Sequence, residues 1–209
     1  MLPKRLREGY ASFRSGRYGQ ERERYRKLDD AGQRPLAIII ACCDSRAAPE
    51  TIFDVGPGEL FVVRNVANLV PPYAPDGRHH STSAALEFAV LGLEVRHIVV
   101  MGHGHCGGIA TLSGAGKPLS RGDFIGSWMA AVHDVAEQVP KNDESTEERL
   151  RLIEHASVEH SLANLRTFPW IRTRETEGLV TLNGAWFDIG MGVLEEFDAA
   201  GGKWSVVEH

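Results

Sequence analysis

Two short segments of this sequence carry residues that bind metals or act as nucleophiles. Residues 41–46, ACCDSR, follow the apolar run PLAIII and contain two adjacent cysteines. The third cysteine, Cys106, lies in GHGHCGG, three residues after His103. A cysteine from the first segment, with a histidine and a cysteine from the second, leaves one position of a tetrahedral zinc ion open, which is typical of a catalytic rather than a structural zinc site.

Other interpretations of these thiols stay open at this point. Unpaired cysteines are often buried simply as small apolar side chains. Cys106, at a glycine-rich helix start, has the setting of a nucleophile with a lowered pKa. A redox pair is normally spaced C-x-x-C, and the adjacent Cys42 and Cys43 lack that spacing.

Side-chain alternation selects between the two adjacent cysteines. Side chains two residues apart in an extended segment point the same way. Cys42, Asp44 and Arg46 therefore share one side, whereas Cys43 and Ser45 face the other. Cys42 is predicted to join the cluster, and Cys43 is expected to pack elsewhere or to face another pocket.

In the second segment, the three-residue spacing of His103 and Cys106 suits a tight loop around one ion. His105 is adjacent to Cys106 and is the poorer ligand candidate. The surrounding glycines are expected to allow unusual backbone angles; they are Gly102, Gly104, Gly107 and Gly108.

Short apolar runs alternate with helix-forming stretches along the chain. Strands are predicted at residues 35–41, 59–66, 96–104 and 179–189, with a further candidate at 203–209. Helices are predicted at 49–53, at 81–93 as a mostly buried helix, at 123–139, and after a capping box formed by Ser145 and Glu148.

This alternation predicts the α/β class. We expect one domain, residues 1–209, with a central, mostly parallel sheet of four to five strands flanked by helices. Residues 1–32 are predicted to form an N-terminal helical arm that ends at Gly32. Both cysteine segments follow predicted strands, at the sheet edge where such folds bind ligands.

Composition narrows the classes of partner. The 209 residues carry a net charge of -5, so no broad cationic surface for nucleic acid is expected. No apolar run approaches the ~20 residues of a membrane span, and MLPKRLREGY lacks the apolar segment of a secretory signal. We expect a cytoplasmic protein with reduced thiols and without nucleic-acid or membrane partners.

The two segments together resemble the paired signatures of β-class carbonic anhydrases, Cys42-x-Asp44-x-Arg46 and His103-x-x-Cys106-Gly-Gly. The stretches GELFVVRNVANLVPP, TSAALEFAVLGLEVRHIVVMGH and LVTLNGAWFDI are similar to core segments of that family. The resemblance is close over residues 33–115 and extends to about residue 190.

The resemblance implies reversible hydration of CO2 to bicarbonate and a proton, with one Zn2+ per subunit. The family's zinc ligands fall on Cys42, His103 and Cys106. Zinc lowers the pKa of its bound water toward ~7, which gives a hydroxide that attacks CO2. Asp44 would accept a hydrogen bond from that hydroxide and orient it, and Arg46 would keep Asp44 ionised through a charge-assisted pair.

The resemblance also implies a substrate pocket at a dimer interface, and therefore a homodimer or a higher homo-oligomer. Gln33 matches a glutamine that hydrogen-bonds substrate in the plant-like branch. Phe61 and Val66 match apolar pocket positions, which suits CO2 because it offers little to hydrogen-bond. Packing within a strand is the competing interpretation of these two side chains.

Departures from the family's patterns bear on the state of the site. Phe88 stands where many plant-like members carry a pocket tyrosine. Ile39 and Ala41 stand where a closed, allosteric bacterial branch carries tryptophan and glycine. We therefore expect an open site, with water as the fourth zinc ligand and Asp44 off the metal.

Two other functions are compatible with the same residues. Relatives that resemble this fold hydrolyse carbonyl sulfide or carbon disulfide at the same kind of zinc site. A zinc-bearing binding or regulatory protein that lost activity is the third possibility, and the intact Asp44–Arg46 pair argues against it.

Three histidines lie nearest the motifs in sequence and are candidates for proton transfer: His79, His80 and His105.

Overall fold

The computed structural model describes residues 1–113, 118–140, 146–199 and 201–208. Within them, six strands form one sheet in the order β2-β1-β3-β4-β5-β6. The strands are β1 Ala37–Cys42, β2 Leu60–Asn65, β3 His97–His103, β4 Thr181–Asp188, β5 Val193–Asp198 and β6 Lys203–Val206.

The helices of the described residues flank this sheet or precede it. They are α1 Lys4–Ser15, α2 Arg17–Ala31, α3 Pro49–Ile52, α4 Ser81–Glu87, α5 Gly107–Ala110, α6 Phe124–Met129, α7 His133–Gln138, α8 Thr146–Leu165 and α9 Pro169–Thr176. None of them is both long enough and apolar enough to cross a bilayer.

The sheet confirms the α/β class and its mostly parallel character. Strands β2, β1, β3 and β4 pair in parallel, and the hairpin of β5 and β6 adds an antiparallel edge. The sheet has one strand more than predicted, because two adjacent glutamates mask the alternation of β5. One of them, Glu195, is only 6% exposed and pairs with Arg151 of α8.

The main core lies between the sheet and α8. Every residue of β1 is buried, and its β-branched side chains suit a strand covered on both faces. Ile38 and Ile40 belong to the same buried cluster as Val158 and Leu162 of α8. Parallel pairing places β1 and β3 side by side beneath this core, so their carboxyl ends lie together.

The N-terminal arm is confirmed as helical over α1 and α2, with a break at Gly16 and an end before Gly32. Gly32 has φ +75, a conformation that favours glycine after a helix. Neither of these two described helices has a residue that is buried by the rest of its own subunit. Arg24 attaches α2 to the body by donating to Pro57 O at 2.8 Å.

Two predicted helices differ from the structure. Residues 81–93 form α4 and a π-helical turn, Phe88–Gly92, and only one side is buried, with Phe88 53% exposed. Residues 123–139 are split into α6 and α7 by the 3-10 turn Ala130–Val132. The capping box that begins at Ser145 lies outside the described residues.

Candidate metal centre

The two cysteine-bearing segments meet at the carboxyl ends of neighbouring parallel strands. Cys42 is the last residue of β1, and His103 is the last residue of β3. Ala41 pairs with Met101 in register, which brings both strand ends to the same edge. Cys106 follows one turn after β3 and precedes α5. The prediction that the two segments lie within reach of each other is confirmed.

Three donor atoms converge here. The Sγ atoms of Cys42 and Cys106 are 4.0 Å apart, and these atoms and a ring nitrogen of His103 all lie within 4.8 Å of one another. All three residues are buried, with exposures of 6%, 2% and 1%. Two thiolates bound at ~2.3 Å to a tetrahedral zinc ion lie ~3.8 Å apart, so the sulfur spacing fits zinc.

The imidazole of His103 is oriented for a metal. Its Nδ1 lies 2.9 Å from the carbonyl oxygen of Gly104, so Nδ1 carries the proton and donates it, and Nε2 keeps a free lone pair. Nε2 is buried and has no hydrogen-bond partner among the described residues. A buried polar atom without a partner is costly, and a metal ion would satisfy it.

The thiols shift each other's protonation. Contact with Cys106 lowers the pKa of Cys42 to about 4, and the nearby His103 and backbone N–H groups act in the same direction. The same contact with Cys42, together with burial, raises the pKa of Cys106. A metal ion would bind both sulfurs as thiolates, so binding releases the protons that they carry.

Asp44 and Arg46 form a bidentate pair beside these donors. Oδ1 of Asp44 accepts from Nε of Arg46 at 2.9 Å and Oδ2 accepts from Nη2 at 2.7 Å. These bonds hold the pKa of the Asp44 carboxyl well below its usual range. Nη2 also donates to the carbonyl of His105 at 3.2 Å, so Arg46 ties the first segment to the second.

His105 is not among the donors. It has φ +55, a left-handed conformation that histidine adopts more often than most residues. Its side chain is exposed and lies 3.4 Å from Glu147, whereas its carbonyl faces Arg46. The structure thus separates His103 from His105 in the way that the spacing predicts.

The glycines around Cys106 have a different role from the one predicted. The glycines with positive φ among the described residues do not include Gly102, Gly104, Gly107 or Gly108. Close packing explains two of them instead. A Cβ on Gly102 would lie 2.9 Å from Val158 Cγ2, and one on Gly108 would lie 2.8 Å from Val66 Cγ1.

Arg64 donates hydrogen bonds to the backbone of the first segment. This role was not recognised from the sequence. Its Nε donates to the carbonyl of Cys42 at 2.9 Å, and its Nη2 donates to the carbonyl of Asp44 at 2.6 Å. Arg64 belongs to β2, and its position interrupts an apolar strand. A charged residue within an otherwise apolar strand is the signal by which Arg64 could have been found.

Glu154 holds the second segment and was also missed. It is 3% exposed and accepts from the backbone N–H of Cys106 at 2.8 Å and from Nε1 of Trp186 at 3.1 Å. Burial raises the pKa of its carboxyl, and the two N–H bonds oppose that shift. Its charge on the otherwise buried face of α8 is the signal by which Glu154 could have been found.

Cys43 stands apart from the donors. It is exposed, whereas Cys42 and Cys106 are buried. The predicted separation of the two adjacent cysteines is therefore seen in the structure. Cys43 was expected to pack elsewhere or to face another pocket; within a single subunit it does not pack.

The predicted pocket residues divide into one near the donors and three remote from them. Val66 is 36% exposed and directly follows β2, where it covers Gly108. Phe61 pairs in register with Ile38, four residues before Cys42, which corresponds to ~13 Å along the strand.

Phe88 packs against Phe61, with ring centroids 5.8 Å apart. Gln33 precedes β1, and the strand from Ala37 to Cys42 spans ~17 Å. A single subunit therefore does not bring Gln33, Phe61 or Phe88 to its own donor cluster.

The chain is similar to known proteins over most of its length. The family described as Carbonic anhydrase matches residues 37–194. Beta carbonic anhydrase 5, chloroplastic, of Arabidopsis thaliana is 36% identical over 207 residues, which cover 96% of this chain and 64% of that protein. Beta carbonic anhydrase 6, mitochondrial, of the same plant is 34% identical over 201 residues, covering 95% of this chain and 68% of the relative.

Solved structures share the fold over nearly the whole chain. The β-carbonic anhydrase CcaA superposes with a TM-score of 0.90 at 29% identity, covering 99% of this chain and 92% of that one. A tetrameric β-carbonic anhydrase from Sordaria macrospora gives a TM-score of 0.81 at 30% identity, with 96% of each chain covered.

Proposed function

The chain belongs to the β-carbonic anhydrase family, and we propose that it catalyses the reversible hydration of CO2 to bicarbonate and a proton with one zinc ion per subunit. One observation carries the proposal. The unpartnered Nε2 of His103 and the thiols of Cys42 and Cys106 form a three-donor cluster directly beside the Asp44–Arg46 pair.

Cys42, His103 and Cys106 would hold the zinc ion and leave its fourth position open. When bound, zinc supplies the Lewis acidity that turns water into a nucleophile near neutral pH. Two thiolates and a neutral imidazole cancel the charge of the ion, so the residues beside it must assist that nucleophile.

Asp44 supplies that assistance. Its Oδ2 lies 3.9 Å from Nε2 of His103, so the carboxylate lies beside the donor cluster and would accept a proton or a hydrogen bond there. Arg46 engages both oxygens of Asp44. Arg46 thereby keeps the carboxylate ionised and fixes its orientation. This arrangement favours the open form of the site, with Asp44 bound to Arg46 rather than to the metal.

The substrate pocket requires a second subunit. Gln33, Phe61 and Phe88 lie remote from the donor cluster of their own chain, so we propose that they complete the pocket of a partner subunit. Val66 would line the pocket of its own chain. The Sordaria relative is tetrameric, and we propose a homodimer or a higher homo-oligomer here.

A cytoplasmic location stays a prediction from the sequence.

Stopped-flow CO2 hydration by the zinc-loaded protein, across neutral and mildly alkaline pH, tests the proposal. A parallel assay measures sulfide release from carbonyl sulfide. Rapid hydration with slow sulfide release supports a carbonic anhydrase. The opposite pattern identifies a hydrolase of carbonyl sulfide or carbon disulfide, and a zinc-loaded protein inert in both assays identifies a binding or regulatory role.

A further inference from the structure

A buried carboxylate outside the donor cluster binds the backbone of one of its members. Glu154 of α8 is 3% exposed, and its Oε1 accepts the N–H of Cys106 at 2.8 Å. Its Oε2 accepts Nε1–H of Trp186 on β4 at 3.1 Å. One side chain thus connects α8, the turn after β3, and β4.

We propose that Glu154 is a positioning residue that fixes the Cys106 thiolate in the geometry needed for zinc, with Trp186 as its anchor. The inference rests on the zinc site proposed above. It concerns the direction of the Cys106 Sγ atom and the affinity of the site for its metal, and Glu154 itself contacts neither metal nor substrate.

The bond to Glu154 restrains the backbone of Cys106 directly. Cys106 is the N-cap of α5, a helix of four residues, and no side chain of that cap satisfies its N–H groups. N–H groups at a helix start lack partners within the helix. The carboxylate takes the N–H of Cys106 itself, so it fixes the backbone from which Sγ projects.

Trp186 sets the position of the carboxylate and of the turn together. A Cβ on Gly104 would lie 3.2 Å from Cζ2 of Trp186, so the turn between His103 and Cys106 lies directly on the indole. The same indole donates Nε1–H to Glu154. The ring therefore positions the turn by contact and positions its carboxylate partner by a hydrogen bond.

A carboxylate is specifically suited to this place, because both partners are N–H donors and an ionised carboxylate only accepts. A glutamine has the same shape but offers one oxygen and one NH2 group. It would keep one of the two bonds and set an NH2 against the other donor. Replacement of a residue that orients a metal ligand typically costs ~10–100-fold in metal affinity or activity.

The test compares Glu154→Gln and Trp186→Phe with the wild-type protein. Zinc affinity is measured by chelator competition, and the visible spectrum of the Co2+-loaded protein reports the thiolate geometry. We expect Glu154→Gln to weaken zinc binding ~10–100-fold and to shift the cobalt bands. Trp186→Phe keeps the Cys106 bond, so a smaller change in the same direction is expected.

Glu159→Gln is the matched control. Glu159 lies on the same helix, is exposed, and accepts from Nε1 of Trp204 at 2.8 Å, so it repeats the glutamate–tryptophan bond away from the donor cluster. We expect wild-type zinc affinity and a wild-type cobalt spectrum from this variant.

Wild-type affinity and spectrum in Glu154→Gln would overturn the inference, even if the variant unfolded at a lower temperature, because that pattern indicates a purely structural glutamate. If Glu154→Gln does not fold, Trp186→Phe decides by the same two readouts. A wild-type protein that takes up neither ion contradicts the proposed function and the inference with it. If the wild type binds zinc and neither variant changes the affinity or the spectrum, only the inference is contradicted.

Discussion

At the scale of single residues, the chemistry depends on pairs of groups that hold each other in one state. The His103 tautomer is set by Gly104 O, and the Asp44 carboxylate is kept ionised by Arg46. Neither the free lone pair nor the ionised carboxylate follows from residue type alone, because both depend on a neighbour within hydrogen-bond distance.

Asp44→Asn is predicted to retain zinc and to lower the rate of CO2 hydration at least ~100-fold, a typical loss for a removed proton acceptor. The amide removes the charge that pairs with Arg46 while the three metal donors remain. Stopped-flow kinetics with metal analysis measure both properties.

Glu175→Gln is the control for that variant. Oε1 of Glu175 accepts from Nη2 of Arg166 at 2.8 Å and Oε2 accepts from Nε at 3.0 Å, which repeats the bidentate carboxylate–arginine pair. Glu175 lies on α9, away from the donor cluster, so the activity of this variant should match the wild type. Loss of zinc from Asp44→Asn, or unchanged activity, would contradict the role given to Asp44.

The donors and the Asp44–Arg46 pair were predictable from the sequence because they are close together within two short motifs. Alternation after β1 selected Cys42 over Cys43, and the structure buries the first and exposes the second. Arg64 and Glu154 were not predictable in this way. Each acts on a motif from 20 or more residues away, and only the folded chain shows the contact.

At the scale of elements, parallel pairing of β1 and β3 brings the two motifs to one edge, and β2 supports the first motif from the other side. Strands β1 to β4 were predictable because each is a short apolar run. The boundary between α6 and α7 was not, because a continuous helix-forming sequence conceals a 3-10 turn at residues 130–132.

Arg64→Lys tests the support that β2 gives to the first motif. The guanidinium donates to two carbonyls through separate nitrogens, and a lysine ammonium cannot span both in the same way. We expect a loss of about 2 kcal/mol in the free energy of unfolding, measured by denaturant titration, with weaker zinc binding. Arg172→Lys, at an exposed position of α9, should leave both unchanged. Equal behaviour of the two variants would contradict this account.

At the scale of the whole molecule, a single chain leaves several apolar surfaces uncovered. The described helices α1 and α2 bury none of their residues in one subunit, and Leu6, Tyr10 and Phe88 are 58%, 63% and 53% exposed. Of the three pocket residues remote from the donor cluster, Gln33 and Phe88 are exposed. Both observations support the proposal that the complete site forms between subunits. From the sequence, this arrangement is implied only by the family resemblance.

The double variant Leu6→Asp, Tyr10→Asp is predicted to reduce the mass of the assembly, because charged side chains would replace the apolar face of α1 at a subunit contact. Light scattering should give at least twice the 23.0 kDa of the chain for the wild type and a smaller mass for the variant. Lys4→Asp, on another face of the same helix, serves as the control. An unchanged mass for the double variant would show that α1 does not contribute to assembly.

The most direct test of the whole account measures zinc content and CO2 hydration together for the wild type, Cys42→Ser and Cys43→Ser. We expect about one zinc ion per chain and rapid hydration for the wild type and for Cys43→Ser. Cys42→Ser should lose most of its zinc and its activity. Retained zinc and activity in Cys42→Ser, with loss of both in Cys43→Ser, would contradict the assigned ligands and the roles of Asp44 and Arg46.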